Sequence, residues 1–216
     1  ELACVEHGIQ PNGLIQNDSE EDTDFVSFFH ETPSGQYVPR CLLVDLEPTV
    51  MDEIRTGRYH KLFHPELMYN GKEDAGNNFA RGYYTMGKRF ITGMVEKTRH
   101  IAEGCDSMQG FMVFDGYGGG TGSGLSSLYI DRLKVEFGRK TCLQVAIYPG
   151  RRLCLSTVEP YNALMIADRT IDTTDVCILM DNESLYNLCT DGMKLDSPNF
   201  ADVNRVIASM IGRITT

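Results

Sequence analysis

The residues best able to do chemistry are Gly118-Gly119-Gly120-Thr121-Gly122-Ser123-Gly124, which follow an apolar run from Gly110 to Asp115 and lead into an amphipathic stretch. Strand, glycine turn and helix start come in that order. Glycines let backbone N–H groups converge on an anion, and a helix start adds unpaired donors and the positive end of a dipole. Thr121 and Ser123 are read as hydroxyl donors to the same anion. A dinucleotide fingerprint G-x-G-x-x-G/A fails in every register, because Thr121, Ser123, Leu125 or Ser127 falls at the last position. A P-loop needs a lysine directly after its last glycine, and the next lysine is Lys134. A flexible linker is the plainer alternative, but the flanks are apolar and periodic. The run therefore reads as a cradle for a ligand that carries phosphates.

In a doubly wound sheet the ligand lies at the carboxyl ends of the strands, so the residues after each strand are the next candidates. Asp45 and Glu47 follow the apolar run Cys41 to Asp45. An anionic pair beside phosphates calls for a divalent cation between them, Mg²⁺ held through water; alone, Asp-Leu-Glu-Pro is a turn or a helix start. Gly71 to Asn78 has the composition of a turn. Glu159 before Pro160 would by itself cap a helix. His60 and His64 are four apart, but Lys61 and Pro65 argue against a zinc motif.

The elements that must hold these groups are legible as an alternation. Cys41–Asp45, Gly110–Asp115, Cys142–Tyr148 and Val176–Met180 read as strands. Helices are expected over Asn78–Ala102, from Pro160 to about Ile171, and along the stripe Phe200, Val203, Ile207, Met210 and Ile214. This implies an α/β fold, a Rossmann-like parallel sheet with helices on both faces, in one domain over residues 1–216. Asn17 to Asp24 reads as a solvated acidic loop. At 216 residues, 42% hydrophobic, the chain can bury a real core. Its net charge of −10 argues against nucleic-acid or anionic-membrane partners. No apolar stretch has transmembrane length and no signal peptide opens the chain, so a soluble intracellular protein is expected. Seven cysteines without a C-x-x-C pair are expected to be reduced and buried.

GGGTGSG is also the signature of the tubulins and their bacterial cell-division relatives. The chain resembles that family, and its α-type in particular, across almost its whole length. The likeness is carried by Glu6-His7-Gly8-Ile9, Val44 to Val50, Asp52 to Gly57, His64-Pro65-Glu66, Gly71 to Ala75, Asn77-Asn78, Val158 to Asn162 and Asp181-Asn182-Glu183. The resemblance implies GTP with Mg²⁺ at Asp45 and Glu47. Asp74, Ala75 and Asn77 would meet the terminal phosphates, Gly118, Gly119, Gly120, Thr121 and Gly122 the phosphate chain, and Glu159 the ribose. Asn182 and Asn204 would read guanine, since an amide carries both a donor and an acceptor, and Phe200 would stack on the base.

It further implies a structural subunit that pairs with β-tubulin in cytoplasmic microtubules, with no catalytic residue for hydrolysis before Thr216. The chain opens inside what resembles the family's first helix, so a fragment lacking the first strand and the later domains is expected, one that folds poorly alone. Gly116 and Leu155 depart from the family's serine and threonine. Two lost hydroxyl contacts would weaken binding by roughly two to four decades. A degenerate or truncated tubulin-like protein that neither polymerises nor binds GTP tightly is therefore the alternative.

Overall fold

A computed structural model describes residues 1–15, 27–150, 154 and 156–215. The acidic cluster Asn17–Asp24 and Leu155 lie outside them. Contacts divide the chain into two compact units, Glu1–Asn70 with Ser197–Thr216, and Gly71–Asp196.

The first unit opens with α1 (Leu2–Glu6) and an antiparallel hairpin of β1 (Phe29–Glu31) and β2 (Tyr37–Pro39). The turn between them is closed by the Thr32 hydroxyl, which donates to the Gln36 carbonyl at 2.9 Å. Cys4, Ile9, Phe29 and Leu62 form a small core flanked by Tyr37, Tyr59 and Phe63. β3 (Leu43–Asp45) leads into α2 (Thr49–Thr56) and pairs in parallel with β4 (Met68–Asn70). The strand expected from Cys41 starts at Leu43, because the Cys41 N–H turns back to the Pro39 carbonyl at 2.9 Å.

The second unit holds the main sheet. A wide π turn, Arg81–Thr85, runs into α3 (Met86–Glu103), the helix expected from residue 78. Then come β5 (Gly110–Gly116), a second π turn (Thr121–Leu125) continuing as α4 (Ser126–Phe137), β6 (Thr141–Tyr148), α5 (Glu159–Thr170), β7 (Val176–Asp181) and α6 (Asn182–Asn187). β5, β6 and β7 lie side by side in chain order, all parallel, with Gly116 opposite Ile147 and Tyr148 opposite Asp181. Each crossover is a helix, as parallel strands require. β6 is central, and Cys142, Gln144, Val145 and Ala146 are buried on its two faces. The core gathers Phe79, Tyr117, Ala146, Ala163 and Ile166, where two alanines let α5 sit close on the sheet. The chain returns to the first unit as α7 (Phe200–Thr215), which packs on α1.

All seven cysteines are free thiols, but the expectation that they are buried fails for Cys154 and Cys177, which are exposed. Cys177 sits on β7, where half of the residues are exposed, and Cys154 lies in the connection between β6 and α5. His64 caps the short turn Pro65–Leu67, accepting the Glu66 N–H, while His60 Nδ1 lies 2.8 Å from the Gly57 carbonyl. Among the described residues no helix is long and apolar enough to cross a membrane.

Candidate phosphate-binding site

The carboxyl ends of β5, β6 and β7 carry, in turn, the glycine loop, the connection leading to Glu159, and Asn182. After Gly116 the chain turns through Tyr117, whose N–H donates to the Ile147 carbonyl at 3.0 Å. The helix ladder begins when the Ser123 N–H donates to the Gly119 carbonyl at 3.1 Å. The N–H groups before it therefore stand outside the ladder, as at any helix start.

The glycines divide into two kinds. A Cβ on Gly120 would lie 2.5 Å from the Asn78 nitrogen and 2.8 Å from the Ala75 Cβ, and one on Gly122 would lie 2.2 Å from the Gly116 carbonyl oxygen. These positions are glycine because protein backbone presses on them. A Cβ on Gly119, by contrast, would have Asn77 Oδ1 at 4.0 Å as its nearest neighbour, and Gly116 has nothing within 4 Å. Gly119 is thus where the cradle is open to a ligand.

Ala75, Asn77, Gly118, Gly119, Gly120 and Glu159 lie close together around the glycine loop. Ala75 is fully buried against Gly120, so it acts through packing and backbone. Gly76 and Asn77 both take left-handed backbone, with φ of 60° and 51°. That conformation is open to glycine and tolerated by asparagine. Asp74 is exposed at the rim of this loop and Thr121 is partly exposed. Ser123 corrects an expectation: its side chain is fully buried and its hydroxyl donates back to the Gly119 carbonyl, so it does not face the cradle.

Glu159 lies against Gly118, with its Cγ 3.2 Å from where a Gly118 Cβ would be. Its carboxylate accepts the Ser156 N–H at 3.0 Å and the Cys154 thiol at 3.1 Å. The thiol's hydrogen bond to Glu159, more than the carboxylate's charge, pushes the Cys154 pKa up. Asn182 opens α6 half-buried, just after Asp181, which caps the helix by accepting from the N–H groups of Glu183 and Ser184.

Under the loop lies a polar row that the sequence did not point to. Asp115 is 8% exposed, accepts from Gln144 Nε2 at 2.8 Å through one oxygen, and leaves Oδ1 buried with no partner among the described residues. Burial pushes its pKa up to about 7, against the opposing pull of the Gln144 bond. Gln144 Oε1 in turn accepts from the Tyr117 hydroxyl at 3.3 Å, and burial raises that phenol as well.

The remaining candidates belong to the first unit. Asp45 ends β3 and accepts the Glu47 N–H at 3.3 Å, while Glu47 accepts the Thr49 hydroxyl at 2.8 Å. This is a turn into α2, built from hard oxygen donors of the kind Mg²⁺ takes. Among the described residues no cluster of three or more His, Cys, Asp or Glu forms a metal cage. Phe200 and Asn204 are exposed near the start of α7.

For a phosphate chain, the second unit offers a helix start with N–H groups outside its ladder and an open glycine whose Cβ direction meets Asn77 Oδ1 only at 4.0 Å. Those N–H groups and the Thr121 hydroxyl are donors that suit an anion.

Comparison with known proteins agrees with this chemistry. Residues 1–190 match the model of the Tubulin/FtsZ family, GTPase domain. Relatives along the full chain include the tubulin alpha chain of Zymoseptoria tritici and the tubulin alpha-2 chain of Caenorhabditis elegans, each 47% identical with 48% of the relative covered. The tubulin alpha-1 chain of Arabidopsis thaliana is 48% identical with 49% covered. The chain spans about half the length of the curated relatives it matches.

Proposed function

The chain belongs to the Tubulin/FtsZ family through its GTPase domain, and on that premise we propose that it is an α-type tubulin chain that binds GTP as a structural ligand. The observation that carries the reading is the open Gly119 at the start of a glycine-rich helix, on the carboxyl edge of the parallel sheet. When bound, GTP supplies phosphate oxygens that accept hydrogen bonds and a guanine edge that pairs with amides.

Backbone N–H groups from Gly118 to Gly122 and the Thr121 hydroxyl hold the phosphates, with Asp74, Ala75 and Asn77 at the terminal end. Glu159 serves the ribose and Asn182 the base. By the family resemblance alone, Asn204 and Phe200 are proposed for the base, and Asp45 and Glu47 for Mg²⁺ through water. No residue is assigned to hydrolysis. The partner is a β-tubulin, and the setting is the cytoplasmic microtubule.

A second reading, a tubulin-like chain that holds nucleotide weakly, is favoured by Gly116, which offers no side chain where the space is open. Co-expression with a β-tubulin, followed by denaturation of the purified complex and chromatography of the released nucleotide, separates the two. About one GTP per chain beyond the β-bound nucleotide supports the first reading; none, or no complex, supports the second.

A further inference from the structure

Asn162, in the first turn of α5, is 2% exposed. A buried amide is costly unless bonded, and this one is bonded on both ends. Its Nδ2 donates to the Asn77 carbonyl at 2.8 Å and to the Gly118 carbonyl at 2.9 Å, while its Oδ1 accepts the Phe79 N–H at 3.1 Å. One side chain thus ties the glycine loop to the end of the Gly71–Asn78 loop and to the start of the helix that follows it.

Each bond acts on a feature of the cradle. Among the described residues no peptide is cis, and in a trans peptide the C=O and the next N–H point in opposite directions. Drawing the Gly118 carbonyl inward onto Asn162 therefore turns the Gly119 N–H outward, at the residue whose Cβ direction is open. On the other loop, the Asn77 carbonyl is fixed at a residue whose φ of 51° is unfavourable without such a restraint.

We propose that Asn162 is a positioning residue that latches the two phosphate-facing loops into one geometry and aims the Gly119 N–H at the ligand. The inference rests on the nucleotide reading for its ligand, though not for the latch itself.

The test compares the unaltered chain with Asn162→Ala, Asn162→Ser and, as a core control, Ile166→Ala, a fully buried position on the same helix. Two readouts are taken: affinities for GTP and for guanosine, which lacks phosphates, and amide hydrogen exchange without nucleotide. The latch predicts GTP affinity lower by on the order of 10- to 100-fold in the Asn162 variants, with guanosine affinity nearly unchanged. It also predicts exchange at residues 76–78 and 118–120 faster by about tenfold, with β6 unaffected. Ile166→Ala should lower the melting temperature without moving the GTP-to-guanosine ratio.

Equal losses for GTP and guanosine, unchanged loop exchange, or loss of a cooperative melt in both Asn162 variants would overturn it, the last by making Asn162 a core residue first. If the unaltered chain binds neither ligand, the nucleotide reading fails, and the exchange data alone decide the latch.

Discussion

Asp115 gives a pH dependence whose size follows from its burial. Its folded pKa of about 7 exceeds the ordinary value of 3.8, so between those values the folded state holds a proton that the unfolded state releases. Stability is then greatest in acid and falls as pH rises toward 7, levelling off above it. Integrated from pH 5 to pH 8, the loss from this one group is about 2 to 3 kcal/mol. For a chain of this length that is roughly 5 to 10 °C in melting temperature. Asp115→Asn keeps the shape and the acceptor for Gln144 but cannot ionise. Denaturant or thermal melts of both proteins at pH 5, 6, 7 and 8, without nucleotide, isolate the effect, since every other residue is common to both. The unaltered chain should lose stability relative to Asp115→Asn across this range. Parallel curves would mean that Asp115 is hydrated in solution, and the reasoning from its buried, unpartnered Oδ1 would be wrong.

Two further outcomes follow from the loop. At Gly116 an added Cβ meets no atom within 4 Å, and Gly116→Ser adds a hydroxyl there, so GTP affinity measured by equilibrium titration should rise by on the order of tenfold; a loss of affinity or folding would show that the space is not there. Glu159→Gln weakens the hydrogen bond and removes the charge that raise the Cys154 thiol, so mass-spectrometric mapping of alkylation at pH 8 should find Cys154 reacting faster, while exposed Cys177 serves as the unchanged reference.

The parallel strands and long helices were legible because their apolar periods are long and their turns carry glycine and proline. Short strands such as β1, β2 and β4, at three residues each, offer no period to read. The glycine loop was legible as chemistry, yet not the division of labour within it. Gly120 and Gly122 answer to neighbours distant in sequence or folded back on the loop, and Ser123 spends its hydroxyl on its own helix. Asn162 stood in a recognised motif without a role, because its partners Asn77 and Gly118 lie 85 and 44 residues away. The Asp115–Gln144 pair depends on strand register, which the sequence does not state.

In the proposed function the open glycine receives phosphates. Gly119→Ala places a methyl group in that opening with no atom beyond its chain neighbours nearer than 4.0 Å, so the fold should be kept and the ligand excluded. The direct measurement is guanine nucleotide released on denaturing the purified chain, unaltered and Gly119→Ala, alongside a melt of each. The account predicts nucleotide in the first, almost none in the second, and matching melts once nucleotide is removed. Equal nucleotide in both, or none in the unaltered chain, would contradict it.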